Sequence, residues 1–346
     1  MTVVDRDVPG AGATGAAFAW LTNQTCFRNG ESLSDGSSRH YFGLHRLALG
    51  AWRRLHAELG EQLGVRWCGT VQLAPAGPDR ELLEDDLRRR LQWGSPSYRI
   101  DAAQARRLLP GAVISDELAG FRTPDEGSVD PNLALAALVR AGAELGVQYR
   151  PCTEVLAIEG DHVATSRGSL ACDDVVVTCG ADSAAVLAGT GISVELVESA
   201  GSIVHLAPRR RFLDPVLLSS DVHAIQRSDG RTVIAKHYTG TPVGDPAGLD
   251  SEKLLADTTA VLPALAGAEI EKTTVGRRIV PADGLPVIGH SATRPNVHSI
   301  TTNAGITLGP VLAQLLSTEI IDDVRIDVLD PYRSTRFDQA SDQGGS

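Results

Sequence analysis

The chain has 346 residues, 42% hydrophobic and 22% charged, with a formal net charge of −11. That length suits about two domains of roughly 150 residues, and the composition is ordinary for a soluble globular protein, not a disordered or fibrous one. The acidic balance excludes nucleic acid and anionic membrane as main partners, because both demand a basic surface; no apolar run approaches the roughly 20 residues that span a bilayer, and no basic-then-apolar leader marks a signal peptide, so the cytoplasm is the expected compartment.

In chain order, Met1 to Asp7 opens as a short apolar run ending in acids. This is the pattern of a buried strand whose terminal carboxylate, Asp5, accepts the ribose hydroxyls of a nucleotide. In a dinucleotide-binding unit such an acid follows a G-x-G-x-x-G turn by about 20 residues. No such turn stands before Asp5. The expectation is that Met1 to Asp7 is a second strand, with roughly 30 upstream in-frame residues encoding the turn. Pro9 to Gly15 is a small-residue loop too rich in glycine for a helix interior, and Ala16 to Leu21 a tightly packed apolar segment. Phe42 to Leu59 carries Leu44, Leu47, Trp52 and Leu55 at helical spacing. Val65 to Leu73 is predicted as a strand and Arg80 to Leu91 as a charged, exposed helix. Asp101-Ala-Ala-Gln104 is a capping box that opens a short helix stopped by Pro110.

Val129-Asp-Pro131 starts a further helix, with Asp130 as N-cap, Pro131 in the first turn and Gly146 at the stop. Leu135, Leu138, Gly142 and Leu145 share one of its faces. A strand at Val147 to Arg150 follows, then a meander over Val155 to Glu159, His162 to Ser166 and Ser169 to Ala171. Asp174 to Gly180 is another buried strand, succeeded by a helix from Ser183 to Ala188. The alternation is α/β, with a parallel sheet assembled from non-contiguous pieces. Between Val194 and Arg278 the pattern changes to short β runs (Ser202 to Leu206, His223 to Arg227, Thr232 to Lys236) around a hairpin turn at Ser228-Asp-Gly230. One helix, about Ser251 to Ala260, interrupts them, and the stretch reads as an antiparallel sheet in a separate lobe. The α/β pattern returns with a strand at Val297 to Thr301, a turn at Asn303-Ala-Gly305 and a helix from about Gly309 to Ile321. Residues 336–346 read as a frayed tail.

Two C-terminal segments carry a recognisable pattern: Thr274-Val-Gly-Arg-Arg-Ile-Val-Pro-Ala-Asp-Gly-Leu-Pro-Val-Ile-Gly289 and Ser299-Ile-Thr-Thr-Asn-Ala-Gly-Ile-Thr-Leu-Gly-Pro310. Their order and spacing resemble the signature of the D-amino-acid oxidase, glycine oxidase and sarcosine oxidase family of FAD enzymes. In that family an arginine precedes a D-G-x-P-x-I-G turn, and a later helix start meets the flavin. Val129-Asp-Pro131 and Val175 to Ser183 resemble two further family elements. The likeness covers nearly the whole chain and departs at the front, where the family's first strand, phosphate-binding turn and first helix have no counterpart.

The resemblance implies an α/β fold: a Rossmann-like FAD-binding domain (1–45, 129–192 and 279–335), incomplete at its first strand, beside an α+β substrate domain (46–128 and 193–278) built on an antiparallel sheet. It implies FAD as cofactor and hydride transfer from an amino acid or secondary amine to flavin, leaving an imine. Two other readings stand beside it. One is a truncated or non-catalytic family member, or auxiliary subunit, without a complete FAD site; the other is an FAD-dependent dehydrogenase of 2-hydroxy acids, which uses the same arginine clamp.

The cofactor-binding candidates follow from this. Asp5 and Arg6 close the opening strand of the chain, although a strand-end acid also caps ordinary turns. Gly12, Thr14 and Gly15 let the backbone approach a pyrophosphate or the flavin side chain, and equally suit a plain loop. Val155 lies where the family holds adenine with strand backbone, and Cys179 and Gly180 end a parallel strand, the edge at which open α/β sheets bind ligands. Gly305, Ile306, Thr307 and Leu308 precede a helix whose positive end faces the charge that develops on reduced flavin.

The catalytic candidates are Arg278 and His223. A guanidinium clamps a carboxylate through two parallel hydrogen bonds and so orients the α-carbon towards flavin N5. Arg277 would point to the other face of the strand, and a solvated arginine pair is the competing reading. His223 stands where the family presents a tyrosine; Lys236 and His237 lie on the neighbouring predicted strand. Five scattered cysteines lack C-x-x-C spacing and read as reduced thiols, and no metal site is expected. The cofactor itself supplies the redox chemistry.

Overall fold

A computed structural model of the chain describes residues 1–23, 27–28, 31–32, 34–220, 222–236 and 250–337. Strands β1 (Thr2–Val4), β2 (Trp20–Leu21), β3 (Phe27–Arg28) and β4 (Glu31–Ser32) precede the long helix α1 (Asp35–Leu59). Next come β5 (Val65–Arg66), β6 (Thr70–Ala74), α2 (Pro78–Gln92), β7 (Tyr98–Ile100), α3 (Ala102–Leu108), β8 (Ala119–Thr123) and β9 (Gly127–Val129). Helix α4 (Pro131–Glu144) leads into β10 (Gln148–Arg150), β11 (Val155–Glu159), β12 (His162–Thr165), β13 (Gly168–Ala171), β14 (Val175–Val177) and α5 (Ser183–Val186). The chain continues through β15 (Leu196–Leu206), β16 (Val216–Ser219), β17 (His223–Gln226), β18 (Thr232–Ala235), α6 (Ser251–Val261), β19 (Ile270–Pro281), β20 (Val287–His290), β21 (Val297–Thr301) and α7 (Gly305–Asp322).

Local chemistry accounts for several boundaries. The Asp101–Gln104 capping box is present in both directions, and Asp130 accepts the N–H groups of Asn132 and Leu133 ahead of Pro131. Helix α1 begins earlier than its apolar stripe predicts, because Ser34 caps the N–H of Ser37. The single strand expected over Val65 to Leu73 is two: Gly69 turns the chain at φ +72°, sending β5 to β9 and β6 to β8 and β16. On α4 the buried stripe is Pro131, Ala134 and Ala137, whereas Leu138 and Leu145 are 41% and 86% exposed. Small residues let α4 lie close against Leu63 and Val65, which larger side chains on that face would prevent. Helix α2 also departs from expectation, since Asp86, Leu87 and Arg90 are buried. At the tail Arg336 bonds Asp283 and Phe337 is buried, while 338–346 lie outside the described residues.

Two small parallel pairings, β1 with β10 and β14 with β21, sit beside α4 and α7, and β20 adds antiparallel to β21. The largest sheet has eight strands in the order β19-β15-β18-β17-β16-β6-β8-β7. All its neighbours are antiparallel except β16 and β6. Successive side chains alternate across it. Val71, Leu73, Val204, Leu217, Ala224 and Ile234 face back onto Ala105 of α3 and Leu254 of α6. Ile203, Val233 and Ala235 face forward onto Phe18, as do Val216, Leu218 and Ile225. That forward face receives the loop between β1 and β2. Among the described residues no helix is long and apolar enough to cross a membrane.

Candidate cofactor and substrate site

One group of candidates gathers beyond the carboxyl ends of β1 and β14. Asp5 donates its N–H to the Arg150 carbonyl (3.2 Å), and its own carbonyl accepts the N–H of Thr153 (2.7 Å). Val155 begins β11 two residues later. The exposed Asp5 carboxylate accepts the N–H of Asp7 (2.8 Å) and so caps its own turn. Arg6 pairs with Asp182 (3.0 Å), which follows Cys179 and Gly180 at the end of β14. Asp5, Arg6, Val155, Cys179 and Gly180 are thereby drawn to one end of the molecule.

The second group surrounds the loop that lies on the large sheet. A Cβ on Gly15 would collide with the Gly10 carbonyl, so the loop's own closure requires that glycine. Gly12 is different: a Cβ there would meet no atom of the chain within 4 Å. Next to Thr14 and Gly15, Ala16 sits over Gly276 of β19, where an added Cβ would come within 3.2 Å of it. Phe18 then packs on Ile203 and Ala235, with its ring 5.8 Å from that of His223. The buried Arg227 holds this loop in place, donating to the carbonyls of Phe18 (3.0 Å) and Val129. Burial lowers the Arg227 pKa to about 10, which still leaves it charged at neutral pH.

Arg278 lies on the same face as Gly276, opposite Ser199. Its Cδ is 2.8 Å from the place a Gly201 Cβ would take, so the side chain lies flat across that glycine. Arg277 faces the other way, to Glu198 (2.8 Å) and Asp182 (3.5 Å). His223 belongs to the cross-strand row of Ala235, Ile203 and Thr274, four residues along β19 from Arg278 and on the same forward face. Lys236 follows β18, and His237 lies outside the described residues.

Gly305 to Leu308 do not precede α7; they form its first turn. Leu308 is buried, with its N–H bonded to the Ala304 carbonyl (2.9 Å), and the Thr307 hydroxyl donates to the Trp20 carbonyl (3.0 Å). The N–H groups of Gly305, Ile306 and Thr307 are those a helix start leaves without an intrahelical acceptor. A Cβ on Gly305, like one on Gly12, would have no atom of the chain within 4 Å.

The sequence model of the DAO family, described as FAD dependent oxidoreductase, matches residues 1–318. The chain belongs to this family. Glycine oxidase from Geobacillus kaustophilus is 27% identical over 335 residues, 93% of this chain and 86% of that protein. The bifunctional protein ThiO/ThiG of Synechocystis sp. is 25% identical over 97% of this chain, which spans 50% of that longer protein. The crystal structure of the Geobacillus kaustophilus glycine oxidase superposes with a TM-score of 0.84 at 22% identity, covering 97% of this chain and 91% of the other. The fold is thus the mixed α/β arrangement of that oxidase, with one large, mostly antiparallel sheet.

The residues of this family member suit FAD. Neither Gly12 nor Gly305 has a positive φ, and neither is crowded by a neighbour. Both are exposed, and the open space over them is compatible with a phosphate or a flat ring lying close to backbone N–H groups.

Local sequence patterns gave no sign of the charge cluster beneath this site. Glu126, wholly buried, accepts from Trp20 Nε1 (3.2 Å), the Thr22 hydroxyl (3.0 Å), the Asn23 N–H (2.9 Å) and Arg90 (2.8 Å). Asp86 pairs with the other side of Arg90 (2.8 Å), whose guanidinium lies over the Phe121 ring. Burial opposes the charge on Arg90, yet Asp86 and Glu126 outweigh it and raise its pKa. Nearby, buried His45 bonds the Thr22 carbonyl through Nδ1 (2.7 Å), which makes Nδ1 the donor.

Burial pushes the His45 pKa down to about 4. The folded value lies below the unfolded one of about 6.5, so the unfolded chain binds the extra proton first as pH falls. The stability tied to neutral His45 is therefore complete above about pH 6.5 and declines towards pH 4. About 2 kcal/mol should be lost between pH 7 and pH 5 by this route. Urea unfolding of the wild type and of His45→Gln at the two pH values measures it; an equal pH dependence in both proteins would contradict the assignment.

Proposed function

We propose that the protein oxidises a small amino acid or secondary amine bearing a carboxylate, with FAD lying from the Asp5 end of the fold to the first turn of α7. In this reading Asp5 and the backbone near Val155 hold the adenosine, with Arg6, Cys179 and Gly180 beside them. Gly12, Thr14 and Gly15 lie along the link to the flavin. The N–H groups of Gly305, Ile306 and Thr307 face the flavin edge that becomes negative on reduction. When bound, FAD supplies the acceptor for the hydride that leaves the C–H beside the amine nitrogen; the nitrogen lone pair forms the C=N bond, and water hydrolyses the imine. Arg278 grips the substrate carboxylate and fixes which C–H points forward, His223 contacts the rest of the substrate, and Phe18 with Ile203 and Ala235 excludes water.

One observation carries this reading: Arg278 lies along Gly201 on the Phe18 face, while its neighbour Arg277 is engaged on the opposite face by Glu198 and Asp182. The test is anaerobic bleaching of the flavin band by a panel of glycine, N-methylglycine, D-amino acids and 2-hydroxy acids. Bleaching by carboxylated amines is expected. Bleaching by hydroxy acids alone would move the chemistry to an alcohol C–H, and a full chain that binds no FAD would overturn the cofactor placement.

A further inference from the structure

Helix α7 carries a proline at its sixth position, Pro310. Proline has no N–H, so the Ile306 carbonyl loses its intrahelical donor, and the ring crowds that same carbonyl. An orphaned carbonyl in a partly buried first turn is costly. Trp52 of α1 fills the gap from outside the helix. Its indole is 3% exposed, and Nε1 donates to Ile306 O (3.0 Å) and Thr307 O (3.1 Å). The same turn is anchored again by the Thr307 hydroxyl on the Trp20 carbonyl, and the Trp20 indole reaches Thr70 (2.8 Å) and Glu126. The Trp52 bonds hold the carbonyl side of the peptides whose neighbouring N–H groups point out of the helix start.

We propose that Trp52 is a positioning residue for the cofactor-facing turn of α7. It replaces the hydrogen bond that Pro310 removes and so sets the direction of the Gly305, Ile306 and Thr307 N–H groups. This rests on the FAD placement given above. With the indole donor gone, the first turn loosens, and its N–H groups no longer converge on the negative charge of reduced flavin. Reduction then becomes less favourable, and the potential of the bound flavin moves to more negative values.

The experiment is a cycle of four full-length proteins: wild type, Trp52→Phe, Pro310→Ala and the double variant. Trp52→Phe keeps an aromatic ring but removes the donor, whereas Pro310→Ala returns a backbone N–H to Ile306. Trp52→Phe should lower Tm by about 3 °C or more, speed amide exchange in the first turn of α7, and make the flavin potential more negative. The double variant should regain most of all three. A double variant that recovers nothing overturns the proposal, and so does a Trp52→Phe protein with lowered Tm but unchanged flavin potential, because Trp52 is then core packing alone. If none of the four binds FAD, the cofactor placement fails and the cofactor role of Trp52 falls with it. The melting and exchange cycle identifies that case, since it reports the Trp52–Ile306 bond without flavin.

Discussion

Arg278→Lys is expected to slow anaerobic flavin reduction by about 100-fold or more, while Arg277→Ala stays within a few-fold of wild type. Lysine keeps the charge but offers a single rotating ammonium where guanidinium presents two parallel donors, so it binds a carboxylate without fixing its plane. Orientation of the C–H is the function assigned to Arg278, and its loss should appear in the reduction rate itself as well as in substrate affinity. Arg277 sits on the opposite face of β19 in an exposed chain of ion pairs with Glu198 and Asp182, and such pairs are worth about 0–1 kcal/mol. Stopped-flow reduction of both variants with one amine substrate decides the point. Small and equal effects at the two positions would show that the substrate carboxylate, if there is one, is held elsewhere.

Glu126→Ala is expected to destabilise the folded protein by about 3–5 kcal/mol, the usual cost of leaving a buried partner charge uncompensated. Arg90 is 1% exposed, and water cannot take over the role of Glu126 without opening the core. The substitution also removes the acceptor shared by Trp20, Thr22 and the Asn23 N–H, and loosens the segment on which Thr307 rests. Glu126→Gln keeps an acceptor oxygen without the charge and should fall between wild type and alanine. Urea unfolding at neutral pH measures all three. A loss below about 1 kcal/mol for Glu126→Ala would mean that Asp86 alone suffices for Arg90.

Much of the framework was legible in the sequence. Caps are bonds between a side chain and a backbone N–H two or three residues away, so Asp101–Gln104 and Asp130–Pro131 declare themselves in the local residue order. The meander β11–β12–β13 and the strand β21 were legible for a related reason: short alternating runs bounded by turn residues need no distant partner to be recognised. The long ladder of β15 and β19 was not. Only Ser202 to Leu206 stood out, because polar residues such as Glu271, Lys272 and Thr273 blur the apolar pattern, and the pairing from Leu196 to Leu206 extends the strands through backbone bonds that ignore side-chain type.

By itself the sequence determined the family, through the Thr274–Gly289 and Ser299–Pro310 segments, and with the family the FAD-dependent class of chemistry. It also determined, through strand alternation, that Arg277 and Arg278 occupy opposite faces. Only the tertiary structure decided which of the two faces the Phe18 loop, since that depends on which side of the sheet the loop packs. Only the tertiary structure decided that a helix of charged residues buries Arg90, because its counter-charge Glu126 arrives from the turn between β8 and β9. The start of α7 was decided the same way. A proline in the sixth position argues for a later start when read locally, and the donor that makes the earlier start affordable is the Trp52 indole, 254 residues away in the chain. Hydrogen bonds and ion pairs between residues so far apart leave no trace in local spacing, because they form only after the core has brought their elements together.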